Sequence, residues 1–126
     1  MNLPIGIVLV VDDDPAVLKA LSLVDLGPQF ALHLCASAAE AELVIGKEEV
    51  EVALVDQHLG ANVPTGLDLL ARLRERDADC FRILFTSAAD LEFVISAINH
   101  GLIDAFLAKP WTSEHLVSLL DRKSTR

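Results

Sequence analysis

The sequence predicts an α/β fold with a parallel β-sheet covered by helices on both faces. Three observations carry this. Short apolar, β-branched runs recur along the chain. Each is followed by a segment with helical spacing, and turn or capping residues separate the two. At 126 residues the chain has the length of one domain. Its 52% hydrophobic and 23% charged residues suit a packed core and argue against disorder.

Ile5–Val11 is an unbroken apolar run, the pattern of a strand buried on both faces. Asp14 followed by Pro15 reads as an N-cap with proline at the first helical position. Val17, Leu21 and Val24 give that helix its inward stripe, and Gly27-Pro28 is expected to end it. Phe30–Cys35 is the second strand. Ser37-Ala-Ala-Glu40 has capping-box spacing and opens a second helix, expected to stop at Gly46. Glu51–Asp56 is the third strand, Gln57–Thr65 a loop, and Gly66–Arg76 a helix with Leu67, Leu70 and Leu73 in phase. Phe81–Thr86 is the fourth strand. Leu91, Ile95, Ile98 and Leu102 then repeat at helical spacing. Asp104–Ala108 is a short fifth strand, and Thr112 caps a last helix that turns Leu116, Leu119 and Leu120 inward. The polar tail from Asp121 to Arg126 is expected to fray.

Composition narrows the function. A formal charge of −9 opposes direct contact with nucleic acid, whose phosphates need a basic footprint. The N-terminal apolar run is too short to span a membrane and has no basic lead-in or cleavage pattern, so a cytoplasmic location is expected. Cys35 and Cys80 lack metal-ligand spacing and read as buried thiols. His33, His100 and His115 share no ligand spacing either and read as structural or surface residues.

In doubly wound sheets of flavodoxin-like order 2-1-3-4-5, ligands bind beyond the carboxyl ends of the strands, where strand order reverses. Taken over to this chain, that order places Asp12, Asp13, Asp56, Thr86 and Lys109 on one rim, each at or just past a strand end. Converging carboxylates repel one another and call for a cation, and an oxygen-only set suits Mg²⁺. One carboxylate can then act as nucleophile toward phosphorus. Lys109 offers a positive charge and Thr86 a hydroxyl to the equatorial oxygens. Asp14 is explained by capping alone.

VLVVDDDP, ALVDQH, ILFTSA and FLAKPW together resemble, in order, the four characteristic stretches of bacterial two-component receiver domains, spread from Val8 to Trp111. The resemblance implies that Asp56 is the phosphoacceptor, that Asp13 binds Mg²⁺ directly and that Asp12 does so through water. The backbone carbonyl of His58 would complete the metal shell. Lys109 resembles the family's lysine, with a Lys109–Pro110 bond that is typically cis; Thr86 resembles the switch hydroxyl and Phe106 the switch aromatic. Receiver domains are phosphorylated by a histidine kinase or phosphotransfer protein. They catalyse only their own aspartyl phosphorylation and dephosphorylation, and relay the change through the fourth helix, fifth strand and fifth helix to an output domain, a partner protein or a second copy of themselves. Residues 1–126 are expected to form one receiver domain, free-standing or part of a longer protein.

The chain departs from the pattern in the loop after the acceptor. Gly60 stands where the family usually has proline, and the following glycine, Gly66, comes ten residues after Asp56 rather than eight, so the loop is longer and expected to be more mobile. Two other readings compete. A receiver-like module could signal by protein contact without phosphate. Alternatively, Asp12 and Asp14 have the Asp-x-Asp spacing of haloacid-dehalogenase-type phosphatases, although the chain lacks a cap domain and that reading leaves Asp56 without a role.

Overall fold

The computed structural model describes residues 6–60, 63–77, 79–87 and 90–124. Ile5, at the start of the expected first strand, Ala61 and Asn62 in the loop after Asp56, Ala88 of the ILFTSA stretch and the terminal Arg126 lie outside them. Ten elements alternate along the chain: β1 (Gly6–Val11), α1 (Pro15–Ser22), β2 (Phe30–Cys35), α2 (Ala38–Lys47), β3 (Val50–Asp56), α3 (Gly66–Arg76), β4 (Phe81–Thr86), α4 (Leu91–Asn99), β5 (Ala105–Ala108) and α5 (Ser113–Ser124). The strands form one parallel sheet in the order β2-β1-β3-β4-β5, the flavodoxin-like arrangement expected from the sequence.

Alternation along the strands divides the core in two. Leu9, Val11, Ala53, Val55 and Leu84 face one way and pack with Ala41 and Ile45 of α2, Leu69, Leu70 and Leu73 of α3, and Val94 and Ala97 of α4. Val8, Val10, Val52, Leu54, Ile83 and Phe85 face the other way, against Leu21 of α1 and Leu116 and Leu120 of α5. Fully burying one such side chain contributes about 1.5–3 kcal/mol. Both faces of the sheet are therefore dry, which is why the strand sequences read as apolar runs rather than alternating ones. Cys35 and Cys80 are buried and form no disulfide, and burial beside Glu40 pushes the Cys35 thiol up to about 11. Among the described residues no helix is long and apolar enough to cross a membrane.

Several boundaries differ from the sequence expectation. Helix α1 closes at Ser22, with the Leu23 N–H bonded back to Ala20 and Leu21, so Gly27 (φ +89°) and Pro28 serve the turn into β2 instead of ending the helix. Gly46 does not stop α2, which continues to Lys47 because Ala41 and Ile45 anchor it to the sheet. Ser37 Oγ accepts from the Glu40 N–H, but the Glu40 carboxylate takes the Ala36 N–H in place of Ser37's. The complete reciprocal capping box is at Thr65 and Asp68. Thr112 caps α5 as expected, accepting from the His115 N–H at 3.2 Å.

Helix α4 forms where the spacing predicts it, and the structure adds which of its faces is buried. Leu91, Ile95 and Ile98, which repeat at helical spacing, are exposed together with Phe93, while Val94 and Ala97 supply the buried face and Leu102 packs partly against the core beyond the helix. The helix is apolar around most of its circumference, so periodicity alone does not select the inward side.

Candidate functional site

Strand order reverses between β1 and β3, because the chain leaves β1 for β2 on one side and returns to β3 on the other. The crevice beyond their carboxyl ends is where a doubly wound sheet receives ligands. Asp12 directly follows β1 and is fully buried, at 0% exposure. Its amide donates to the Cys35 carbonyl, extending the β1–β2 ladder by one bond. Asp12 Oδ1 accepts from the Asp14 N–H at 2.9 Å, which fixes the carboxylate's orientation. Asp13, next in sequence, is exposed. Asp56 is the last residue of β3, at 8% exposure, and its Oδ1 accepts from the His58 N–H at 3.4 Å. Ligand oxygens of Asp12, Asp13 and Asp56 all lie within 4.8 Å of one another.

Lys109 reaches this acid group from just beyond β5. Its Nζ is 3.1 Å from Asp12 Oδ2 and 3.3 Å from Asp56 Oδ2, and passes 6.0 Å from the centre of the Phe85 ring. The Lys109 amide donates to the Thr86 carbonyl, which ties the end of β5 to that of β4, and the Lys109–Pro110 bond is cis. Trp111 follows and stacks on Phe85 at 6.2 Å and 19°.

These contacts set the charges. Burial, then the charge of Asp12, raises the Asp56 carboxyl above the usual carboxylate range, and Lys109 and the His58 amide only partly offset them. Burial works against the Lys109 ammonium, but its bond to Asp12 and the charges of Asp56 and Asp12 outweigh it, so its pKa rises. One cation thus serves two buried carboxylates, with a third acid beside them. The site has spare negative charge.

Thr86 ends β4 and is buried, but its hydroxyl turns to the Ser87 carbonyl at 3.2 Å and to Asp90 Oδ2 at 3.5 Å. His58 points its ring outward, 77% exposed, with Nε2 3.6 Å from the same Asp90 oxygen. Phe106 is 37% exposed on β5, between buried Ala105 and Leu107. Asp14 accepts from the Ala16 N–H at 2.9 Å as the cap of α1.

The structure thus brings Asp12, Asp13, Asp56 and Lys109 together, holds Thr86 at the rim with its hydroxyl bonded elsewhere, and leaves Phe106 at the surface. It also adds residues that the sequence did not single out. Gln57 is nearly buried, and its side-chain and backbone oxygens accept from the Leu67 and Gly66 amides, which seats α3 against β3. Gly66, already marked in the sequence by its distance from Asp56, is needed at that contact, since a Cβ there would lie 2.2 Å from the Asp56 carbonyl oxygen. Asp90 links Thr86, Ser87 and His58. Its sequence signal was slight: an acid four residues past a strand-end threonine, at the start of a helix.

Comparison with known proteins identifies the family and the fold. The family model described as the response regulator receiver domain matches residues 8–121. The hydrogenase transcriptional regulatory protein HoxA of Cupriavidus necator is 34% identical over 110 residues, covering 87% of this chain and 22% of HoxA. The acid tolerance regulatory protein ActR of Sinorhizobium medicae is 30% identical over 112 residues, covering 89% of this chain and 56% of ActR. Among solved structures, the N-terminal signal receiver domain of a two-component system response regulator from Bacteroides fragilis superposes with a TM-score of 0.82 at 28% identity, over 97% of this chain and 98% of that one. A CheY-like receiver domain protein from Methanospirillum hungatei gives a TM-score of 0.81 at 26% identity, over 96% and 98%. This chain belongs to the family of response regulator receiver domains of two-component signalling.

Proposed function

We propose that this chain is a phosphorylation switch in which Asp56 accepts a phosphoryl group from the phosphohistidine of a histidine kinase or phosphotransfer protein, in a Mg²⁺-dependent reaction. The observation that carries this reading is the pair of contacts from Lys109 Nζ to Asp12 and Asp56, beside a third acid, at the crevice where the sheet's strand order reverses. The oxygen-only donor set and the excess negative charge fit Mg²⁺, with Asp13 and Asp56 as direct ligands, Asp12 acting through water and the His58 carbonyl completing the shell. When bound, the ion supplies charge neutralisation for the incoming phosphoryl oxygens.

A carboxylate oxygen of Asp56 attacks phosphorus, an O–P bond forms, and the P–N bond to the donor imidazole breaks with its electron pair leaving on nitrogen, which then takes up a proton. Lys109 already stands against Asp56 and is placed to hold one phosphoryl oxygen. Thr86 lies on the neighbouring strand end and can turn its hydroxyl to another. That reorientation opens room beside β4 for Phe106 to rotate inward. The relay then emerges on the face made by α4, β5 and α5, which includes Glu92, Asn99 and Phe106. Its exposed Leu91, Phe93, Ile95 and Ile98 support a role in contacting an output domain, a partner protein or a second copy. The share of HoxA and ActR that the chain covers supports a receiver unit within a longer regulator.

The test is exposure to a small acyl phosphate with Mg²⁺ or with chelator. One base-labile phosphoryl group per chain, formed only with Mg²⁺, is expected. Steady release of phosphate from small phosphoesters would favour the phosphatase reading, and no incorporation would favour a module that works without phosphate.

A further inference from the structure

Asp90 stands at the N-cap of α4, yet its side chain accepts no bond from the helix amides. Aspartate at an N-cap normally takes the N–H two or three residues on, stabilising the helix by about 1 kcal/mol. Here Oδ2 is engaged elsewhere. It accepts from Ser87 Oγ at 3.1 Å and from Thr86 Oγ1 at 3.5 Å, and faces His58 Nε2 at 3.6 Å. Thr86 Oγ1 also donates to the Ser87 carbonyl at 3.2 Å, the shorter of its two contacts. A threonine hydroxyl has one proton to give. While that proton is shared between Ser87 and Asp90, it is not directed to Asp56.

The geometry points to Asp90 as a positioning residue that holds the Thr86 hydroxyl in its resting orientation, against the pull of a phosphoryl group on Asp56. This rests on Asp56 being the phosphoacceptor and adds the residue that sets how readily the switch turns. A phosphoryl group on Asp56, at the end of the neighbouring strand, brings a competing acceptor of about two negative charges. The balance between the two orientations fixes the fraction of phosphorylated molecules that adopt the active form. Removing the Asp90 carboxylate weakens the resting side, and the Thr86→Ala background separates that effect from any exerted through His58. The Thr86–Asp90 bond is long, so the effect is moderate.

The test titrates the full chain with beryllofluoride in the presence of Mg²⁺, for the wild type, Asp90→Ala, Thr86→Ala and the double variant. Asp90→Ala is expected to lower the half-saturating concentration about fivefold, the equivalent of one modest hydrogen bond. Asp90→Asn keeps the shape and removes the charge, and should move the curve the same way by less. In the Thr86→Ala background the Asp90 substitution should have no effect, because the coupling runs through the hydroxyl. A general loosening of the helix start would instead persist in both backgrounds. Wild-type binding with an unmoved Asp90→Ala curve, or a shift undiminished in Thr86→Ala, overturns this inference and leaves the phosphoacceptor reading standing. If the wild type itself binds no beryllofluoride, the phosphoacceptor reading falls, and this inference with it.

Discussion

Lys109 and Asp56 leave strands that are not neighbours, for β4 lies between β5 and β3, and still the lysine's Nζ stands 3.3 Å from Asp56 Oδ2. The side chain crosses the end of β4 above the Phe85 ring and reaches Asp12 at 3.1 Å in the same span. Without it, two buried carboxylates face each other with no cation between them.

Lys109→Ala should therefore destabilise the metal-free protein at neutral pH, by about 1–3 kcal/mol for the loss of charge-assisted bonds at a partly exposed lysine. Added Mg²⁺ should recover part of that loss. Urea unfolding with chelator and with Mg²⁺ measures both, and equal stability of wild type and variant in chelator would contradict the electrostatic account.

Asp56→Asn should have the opposite effect on stability. The folded-state pKa of Asp56 is raised above its ordinary value, chiefly by burial and then by Asp12. Folding thus favours the protonated form, and the charged form costs stability. That cost is absent below the unfolded carboxylate pKa of about 4 and complete once the pH exceeds the folded value. In chelator the variant should melt higher than wild type at pH 7, and the two should converge as the pH falls below about 4. A gap that widens on acidification would reverse the assignment.

Gly66→Ala should displace the acceptor strand as well as cost stability. The new Cβ would meet backbone atoms, 2.2 Å from the Asp56 oxygen and 2.8 Å from its carbon, and no flexible side chain can yield there. A cost of about 1–3 kcal/mol by denaturant unfolding is expected, as for other overpacked sites. The variant should also accept phosphoryl more slowly. Wild-type stability in the variant would mean that α3 can shift freely.

Trp111 is the chain's single tryptophan and stacks on Phe85, the ring beneath Lys109. Its emission should change when Mg²⁺ or beryllofluoride reaches the site. A flat fluorescence titration alongside independently shown metal binding would separate the ring from the site.

Much of this was legible in the sequence because its signals were strong and local. The β2, α3 and β4 boundaries follow from apolar runs and capping residues, and the acids, threonine and lysine stand at strand ends where the topology converges. What was not legible depends on direction. Leu91, Ile95 and Ile98 keep helical spacing yet face outward, because Val94 and Ala97 fit against the sheet and the periodicity is shared by both faces. Gly46 reads as a helix stop but is carried along by the packing of its neighbours. Asp90 was not singled out in the sequence, and only the turn of its side chain toward Thr86 and Ser87 draws attention to it.

The proposed switch stands or falls on whether Asp56 is the residue that takes the phosphoryl group. Intact-mass measurement of wild type and Asp56→Asn after treatment with acetyl phosphate and Mg²⁺ addresses it most directly. One added phosphoryl group is expected on the wild type, lost on mild base treatment, and none on Asp56→Asn, with Asp13→Ala labelled slowly. Equal labelling of wild type and Asp56→Asn would contradict it.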